Sequence, residues 1–381
     1  MASANLAAGL ITQGYDVTVA TRAHPSRTGN EIPRARVAEF AVDGSASARF
    51  KFTGEVERYL EFIRSFSCDF IVCQCWDAWS TSLAQKAFRD NPAKKVLVSH
   101  GFTSHLLNFH PRPFFGLGVW LGSLPITLVA PWIFRCYDRV TFLSERRDFR
   151  RFFDHTLAHW INYRSHTSIP NGVWLQEFES RELSFRDTFK IQTGRVVLSV
   201  ANYSDRKDQL RALETFAECA PEDTTLVFIG SVYNEYTAKL EAKLQELRAQ
   251  GFKSPVKILH DLGRKEICAA YQASSIFLLT AKAETQPIVL LEAMANRLPF
   301  VSTDTGCVRE LVGGIVGNSK KQLVAALQRL LGDEAERRLL GQAGRALVER
   351  EYQCPRIIDN YVRLLEELNP TPADIRTATQ K

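Results

Sequence analysis

Short apolar runs recur along the chain, each followed by a longer stretch whose apolar positions repeat at helical spacing. In the C-terminal half the predicted order is strand Val196–Val200, helix 209–218, strand Thr225–Ile229, helix 235–249, strand Val256–Leu259 and helix 265–272. Strand Ile276–Leu279, a helix opening at Pro287 and strand Phe300–Ser302 follow, and helices over 320–331, 334–350 and 356–368 close the chain. Runs that are apolar throughout, rather than alternating, predict strands covered on both faces, hence a parallel sheet between helical layers. The N-terminal half shows the same pattern: a helix over Leu6–Ile11 and strands at Val17–Thr21, Phe70–Cys73, Val96–Ser99, Arg139–Leu143 and Thr167–Ile169. Helices over 55–65 and 79–89 lie between them.

The class this predicts is α/β, with two Rossmann-like domains facing a cleft. Pro170-Asn-Gly172 breaks the pattern. The N-terminal domain is therefore placed at 1–172, completed by the helix 356–368, and the C-terminal domain at 173–355. The charged stretch 177–190 reads as a linker and the polar tail 369–381 as disordered. A domain of this class ordinarily opens with a strand. Here a helix comes first, so the first strand of the N-terminal domain is missing from the pattern.

Phe114–Phe134 stands apart, a run of 21 residues without a charge, flanked by Arg112 and Arg135. Its length suits a bilayer crossing of about 20 residues, yet Gly116, Gly118, Gly122, Pro125 and Pro131 interrupt it. It reads first as a buried or cleft-lining segment. Contact with a membrane surface is the second reading, given Trp120, Trp132, Arg146, Arg147, Arg150 and Arg151, and a transmembrane helix the third.

Composition changes this picture little. With 45% apolar and 24% charged residues and a net charge of +6, the chain is ordinary for a globular protein. No basic run carries interleaved aromatics, which excludes a nucleic-acid partner. Eight cysteines without a CxxC pair read as buried thiols in a reducing compartment. No basic segment precedes an apolar core at the N-terminus, so no secretory leader is expected. The expected location is cytoplasmic, with peripheral contact at the inner membrane face as the membrane reading.

Candidate chemistry gathers around Glu284–Glu292. Glu284 falls between a buried strand and a helix, and Glu292 falls within that almost wholly apolar helix, where a carboxylate requires donors. Free amides at the helix start suit a phosphate. From Pro287 to Glu292 a helix rises ~7.5 Å, too far for the ~5–5.5 Å pair of a retaining glycosidase. Two carboxylates so spaced fit separate hydroxyl-bearing parts of one long ligand, such as a sugar–diphosphate–nucleoside. The loop Ala201-Asn-Tyr-Ser-Asp-Arg-Lys-Asp208 follows a strand and offers Lys207 or Arg206 for the diphosphate. His155 and His159 lack the Glu of HExxH and read as structural.

These motifs resemble the retaining, metal-independent glycosyltransferases of family 4, with the GT-B fold. Glu284 and Glu292 match the family's E-x7-E pattern, within Glu292-Ala-Met-Ala295 and a following Pro299. Ser168-Ile-Pro-Asn-Gly-Val173 is similar to the entry into the second domain, and Asp304-Thr-Gly306 with Glu310 to a later Gly-x-x-x-Glu stretch. Tyr137–Ser144 and Gly14–Val19 resemble two earlier segments.

The resemblance implies a sugar transferred from a nucleotide-sugar donor to a hydroxyl acceptor with retention, in glycan, glycolipid or cell-surface polysaccharide synthesis. It implies no cofactor and no metal. Glu284 would bind the donor sugar, Glu292 the ribose and Lys207 the diphosphate, with Ile288 and Val289 amides assisting. His100 would stand near the reacting sugar, with His105 a weaker neighbour. The chain departs from the family at Asn202, where an arginine is common and Arg206 would substitute. It departs again at Thr285-Gln-Pro287, in place of Gly-Phe-Gly, and at Arg297, where a glycine often ends the helix. A non-catalytic sugar-nucleotide-binding subunit of the same fold, or a GT-B sugar-nucleotide epimerase, are the alternatives. A lipid-linked acceptor is expected from 114–134.

Overall fold

The computed structural model describes residues 2–24, 32–44, 51–76, 78–101, 128–129, 131–146, 152–180, 182–219 and 221–369. The chain divides into two compact units, one comprising Met1–Asn171 with Cys354–Lys381 and the other Gly172–Gln353.

The second unit is built on six parallel strands, with β9 (Arg195–Val200), β10 (Thr224–Gly230), β11 (Val256–His260), β12 (Ile276–Leu279), β13 (Phe300–Ser302) and β14 (Gly314–Val316) in the order β11-β10-β9-β12-β13-β14. Every residue of β10 and β12 is buried, which accounts for the uninterrupted apolar runs in the sequence. The chain leaves β9 towards β10 and β11, then returns to the other side of β9 at β12. Between β9 and β12 the strand order reverses, and the loops leaving their carboxyl ends diverge there, the position at which open α/β sheets bind ligands.

Helices Gln209–Cys219, Glu235–Ala249 and Lys320–Gly332 cover one face through Leu213, Phe216, Leu240, Leu323, Leu327 and Leu330. Two of them begin with capping boxes, Asn234 with Thr237 and Ser319 with Gln322. Helices Arg264–Ala273, Ile288–Ala295 and Glu334–Leu347 contribute to the core on the other face, with Tyr271, Phe277, Leu290, Leu291 and Met294 buried there.

The stretch 177–190 is not a linker. It contains the short helix Phe185–Thr188, and Phe178 and Phe185 are anchored in the same core, so two aromatic side chains outweigh the charged residues between them. The helix predicted over 334–350 stays α-helical to Leu347 and then widens into a π turn over Val348–Tyr352. Gln353 bridges to Val173.

The first unit holds its strands in two parallel sheets and a hairpin. β1 (Thr18–Arg22) pairs with β2 (Arg36–Phe40), and β5 (Phe70–Gln74), β6 (Lys94–Val98), β7 (Arg139–Phe142) and β8 (His166–Ser168) form the larger sheet in that order. The hairpin is β3 (Val42–Gly44) with β4 (Phe52–Gly54). Helix Ala2–Thr12 precedes β1, and among the described residues no strand precedes that helix. The two parallel sheets share one core containing Ala20, Ala38 and Phe40 with Ile71, Cys73 and Leu97.

Another core joins Leu10 and Val17 to Val72, Val96 and Val98, closed by Ile357, Tyr361, Leu364 and Leu365 of the terminal helix Cys354–Leu368. The helix expected over 79–89 is interrupted: Trp79–Ala84 is α-helical and Phe88–Asp90 a 3-10 turn. Of the uncharged segment 114–134, residues 114–127 and 130 lie outside the described part. Within the rest, Leu128 and Trp132 are exposed while Phe134 is buried. Among the described residues no helix is long and apolar enough to cross a membrane. His105, Arg147, Arg150, Arg151 and the tail from 370 also fall outside the described residues.

No disulfide joins the cysteines. Cys73, Cys268, Cys307 and Cys354 are buried, but Cys136 is exposed, so burial holds for part of the set that the sequence grouped together.

Candidate active site

Three loops at the carboxyl ends of β9, β12 and β13 meet in the second unit. The loop after β9, residues 201–208, carries Asn202, Arg206 and Lys207. The loop after β12, residues 280–287, carries Glu284. Backbone bonds lace the two: Lys282 N–H donates to the Arg206 carbonyl at 2.8 Å, and Thr280 Oγ1 donates to that of Asp208 at 2.7 Å. Arg206 Nε donates to the Ala283 carbonyl at 3.0 Å.

Across this seam Lys207 Nζ donates to Glu284 Oε1. The lysine side chain is 24% exposed and that of the glutamate 8%, so the pair sits at the edge of solvent. The sequence put Lys207 and Glu284 on one ligand, and the fold puts them in contact. Asn202 is exposed, and its carbonyl accepts from Gln209 Nε2 at 3.0 Å. Arg206 is spent on backbone in this arrangement. Asp208, which adopts a left-handed φ of 52°, has its carboxyl raised by burial against the opposing pull of Lys282 and Arg211.

The third loop follows β13. Cys307 N–H donates to the Thr285 carbonyl at 2.9 Å, and Gly306 has φ +49°. A Cβ at Gly306 would collide with the carbonyl oxygens of Thr285 and Glu284. Only glycine permits this approach. Asp304 pairs with Arg309 at 2.6 Å.

Helix Ile288–Ala295 opens four residues after Glu284. Pro287 is its N-cap, with φ −73° and ψ 106°, rather than its first helical residue. The Leu290 amide turns back to the Pro287 carbonyl at 3.0 Å, while Ile288 and Val289 donate to no acceptor among the described residues. The helix start therefore retains two donors for an anion.

Glu292 is 1% exposed, and its two partners, Tyr271 and Arg264, both come from helix Arg264–Ala273. Tyr271 Oη donates to Glu292 Oε2 at 2.8 Å, and Arg264 Nη1 stands 2.7 Å from Oε1. Arg264 also reaches Glu177 at 2.5 Å and lies over the Phe178 ring, 5.3 Å from its centroid. Burial raises the Glu292 carboxyl, opposed by the Arg264 charge and the Tyr271 hydrogen bond. The sequence demanded donors for this carboxylate without finding them. A signal was present, because Arg264 and Lys265 open a helix, where positive charge opposes the macrodipole unless carboxylates answer it. Glu177 and Glu292 answer the first, and Glu182, at 3.3 Å, the second.

His100 belongs to the first unit, just past β6. Its Nε2 pairs with Gln74 Oε1 at 2.8 Å, and burial holds its pKa below the usual 6.5. The residue before it is tied into a buried network that sequence reading missed: Trp76 Nε1 donates to Ser99 Oγ at 2.6 Å, and Ser99 Oγ donates to Asp154. Asp154 is 4% exposed, and burial raises its carboxyl. His155, in turn, stacks on Phe142 at 4.4 Å, and His159 is exposed. Among the described residues no group of three or more His, Cys, Asp or Glu side chains is placed to hold a metal ion.

Residues 180–347 match the family described as Glycosyl transferases group 1. The chain is 27% identical over 203 residues to a GDP-mannose-dependent monoacylated alpha-(1-6)-phosphatidylinositol monomannoside mannosyltransferase from Corynebacterium glutamicum, covering 48% of this chain and 51% of that protein. Across the curated relatives it matches, the chain spans 36% to 54% of their length. Among solved structures, the sucrose-phosphate synthase of Thermosynechococcus elongatus aligns over 95% of this chain and 91% of its own, with a TM-score of 0.76 and 17% identity. Anabaena Alr3699/HepE in complex with UDP and glucose aligns over 95% of each chain, with a TM-score of 0.71 and 16% identity. The fold is that of the GT-B glycosyltransferases.

Proposed function

Starting from residues 180–347 as a group 1 glycosyl transferase domain, we propose that the protein transfers a sugar from a nucleotide-sugar donor to a hydroxyl acceptor with retention of configuration and without a metal. The observation that carries this reading is the Lys207–Glu284 pair at the β9/β12 switch point, beside a helix start with two uncommitted amides. A diphosphate brings negative charge that competes with Glu284 for Lys207. Released from the lysine, the Glu284 carboxylate is an acceptor for sugar hydroxyls. The Ile288 and Val289 amides then share the diphosphate, and Glu292 takes the ribose.

In the transition state the bond from the anomeric carbon to the diphosphate breaks, and charge accumulates on the departing oxygen. Lys207 and the helix amides stabilise that charge. The leaving diphosphate accepts the acceptor's proton on the same face, so the protein supplies no nucleophile. His100 is assigned to the reacting sugar by the family resemblance. Support for a nucleotide-sugar donor comes from the similar HepE structure, which holds UDP and glucose. The Corynebacterium relative acts on a phosphatidylinositol mannoside, in line with a lipid-linked acceptor reached from the membrane surface through 114–134.

The test is a thermal-shift screen of sugar nucleotides on the full chain, followed by transfer assays with the stabilising donor. Transfer that persists in chelator, giving a product of unchanged anomeric configuration, is the expected result. Donor binding without transfer to any acceptor would favour the non-catalytic alternative, and an epimerised nucleotide sugar would favour the epimerase. Inversion, or loss of activity in chelator, would overturn the mechanism.

A further inference from the structure

Around Glu292 stand one hydrogen-bond donor, Tyr271, and one cation, Arg264. Arg264 Nη1 and Glu292 Oε1 are 2.7 Å apart, yet both atoms are buried and neither makes an aligned hydrogen bond. The contact supplies charge and leaves the acceptor capacity of Oε1 unused. Glu292's other oxygen is committed to Tyr271. The guanidinium is also held by Glu177 through both Nε and Nη2, at 3.0 and 2.5 Å, and lies over the Phe178 ring. Arg264 thus has an anchor of its own and does not depend on Glu292 for its place.

We propose that Arg264, anchored by Glu177, is a positioning residue that keeps Glu292 an ionised acceptor for the vicinal hydroxyls of the donor's ribose. This rests on the reading of Glu292 as the ribose carboxylate. A carboxylate accepts from both hydroxyls of a diol through charge-assisted bonds, whereas a protonated acid presents a donor and a weaker acceptor. At 1% exposure the charged form survives only beside a fixed cation.

The groups facing Glu292 are Arg264, Cys268 and Tyr271 from helix Arg264–Ala273 and Glu177 from the turn Leu175–Phe178. Cys268, its thiol pushed up to about 11 by burial, is neutral, and so is the buried phenol of Tyr271. Glu177 is itself an anion. Arg345, from the neighbouring helix, is committed to the Ala295 carbonyl at the far end of the Glu292 helix. Arg264 is the cation among these groups that compensates Glu292.

Calorimetric titration of the full chain with UDP, GDP and ADP selects the tightest diphosphate, which is then compared with its 2′,3′-dideoxy counterpart. In the unmodified chain, losing the ribose hydroxyls weakens binding throughout the range from about pH 6 to about pH 9. Arg264→Met is expected to lose about tenfold in affinity at the acid end and to recover towards the alkaline end, where Glu292 ionises without help. Discrimination against the dideoxy compound returns with it. Arg264→Lys keeps a cation and restores a flat profile.

A folded Arg264→Met whose affinity is unchanged, or falls equally at every pH, overturns the proposal. Where that variant does not fold, Glu177→Gln carries the same readout, with a smaller shift in the same sense expected and a flat profile overturning it. Glu292→Ala separates the two readings. If it binds diphosphate as tightly as the unmodified chain, or if no diphosphate binds at all, the ribose reading fails. If it loses affinity while Arg264→Met stays flat, only the role of Arg264 fails.

Discussion

Lys207 and Glu284 are each other's counter-ion, and on the proposed mechanism a donor diphosphate takes the place of Glu284 on the lysine. On that mechanism Lys207→Ala removes the cation that stabilises the leaving diphosphate, and the expected loss is about 10²–10³-fold in kcat, as for other preorganised stabilisers of developing charge. Measurement of kcat and KM separately with the identified donor checks this, since an effect confined to KM would reduce Lys207 to a binding contact.

His100 gives a prediction in pH. Burial holds the folded imidazole below its ordinary 6.5, so the unfolded chain takes up the proton first as pH falls. The stability contributed by neutral His100 is present above that value and lost below it. Urea midpoints from about pH 8 to about pH 5 should fall less steeply in His100→Gln than in the unmodified chain. Identical slopes would show that the histidine is not the titrating group.

Among elements, the loop after β13 matters for a reason that no catalytic motif announces. Gly306 lies against the carbonyls of Thr285 and Glu284 with φ +49°. Gly306→Ala therefore meets both a steric and a backbone penalty, each on the order of 1–3 kcal/mol. The affected segment is the one that carries Glu284. Donor affinity is expected to fall more than global stability, because the surrounding strands are untouched. A melting point lowered with donor affinity intact would contradict this.

The same scale explains what could be seen in advance. Strands β9, β10 and β12 were legible because each contains an uninterrupted apolar run, Val196–Leu198, Leu226–Ile229 and Ile276–Leu279, and the helix carrying Glu292 because its apolar residues run all round. The aromatic anchors of 177–190 were hidden by their charged neighbours. The interruption at 85–87 was hidden because no proline or glycine marks it.

For the whole molecule, the terminal helix decides which unit the chain ends in. Leu364 and Leu365 are 3% exposed and pack with Leu10, Val96 and Val98 of the first unit. Leu364→Ala should cost ~2–5 kcal/mol, felt by the first unit. Calorimetry is expected to show that transition moving down while the nucleotide-dependent shift of the second unit stays as it was. Equal movement of both transitions would mean that the units unfold as one.

What the sequence determined by itself was what depends on neighbours along the chain. That includes the alternation of strand and helix, the parallel class and the helical offset between Glu284 and Glu292. The tertiary structure decided what depends on residues far apart in sequence. Lys207 meets Glu284 only because β9 and β12, separated by two intervening strands in sequence, are adjacent at the switch point. Glu292 gains Arg264, Tyr271 and, through Arg264, Glu177, because helix Arg264–Ala273 and the turn Leu175–Phe178 share a core with the apolar helix. Local spacing fixes the face on which a side chain is presented. Counter-ions and donors are chosen by packing, because a buried charge must be compensated wherever the chain happens to bring a partner.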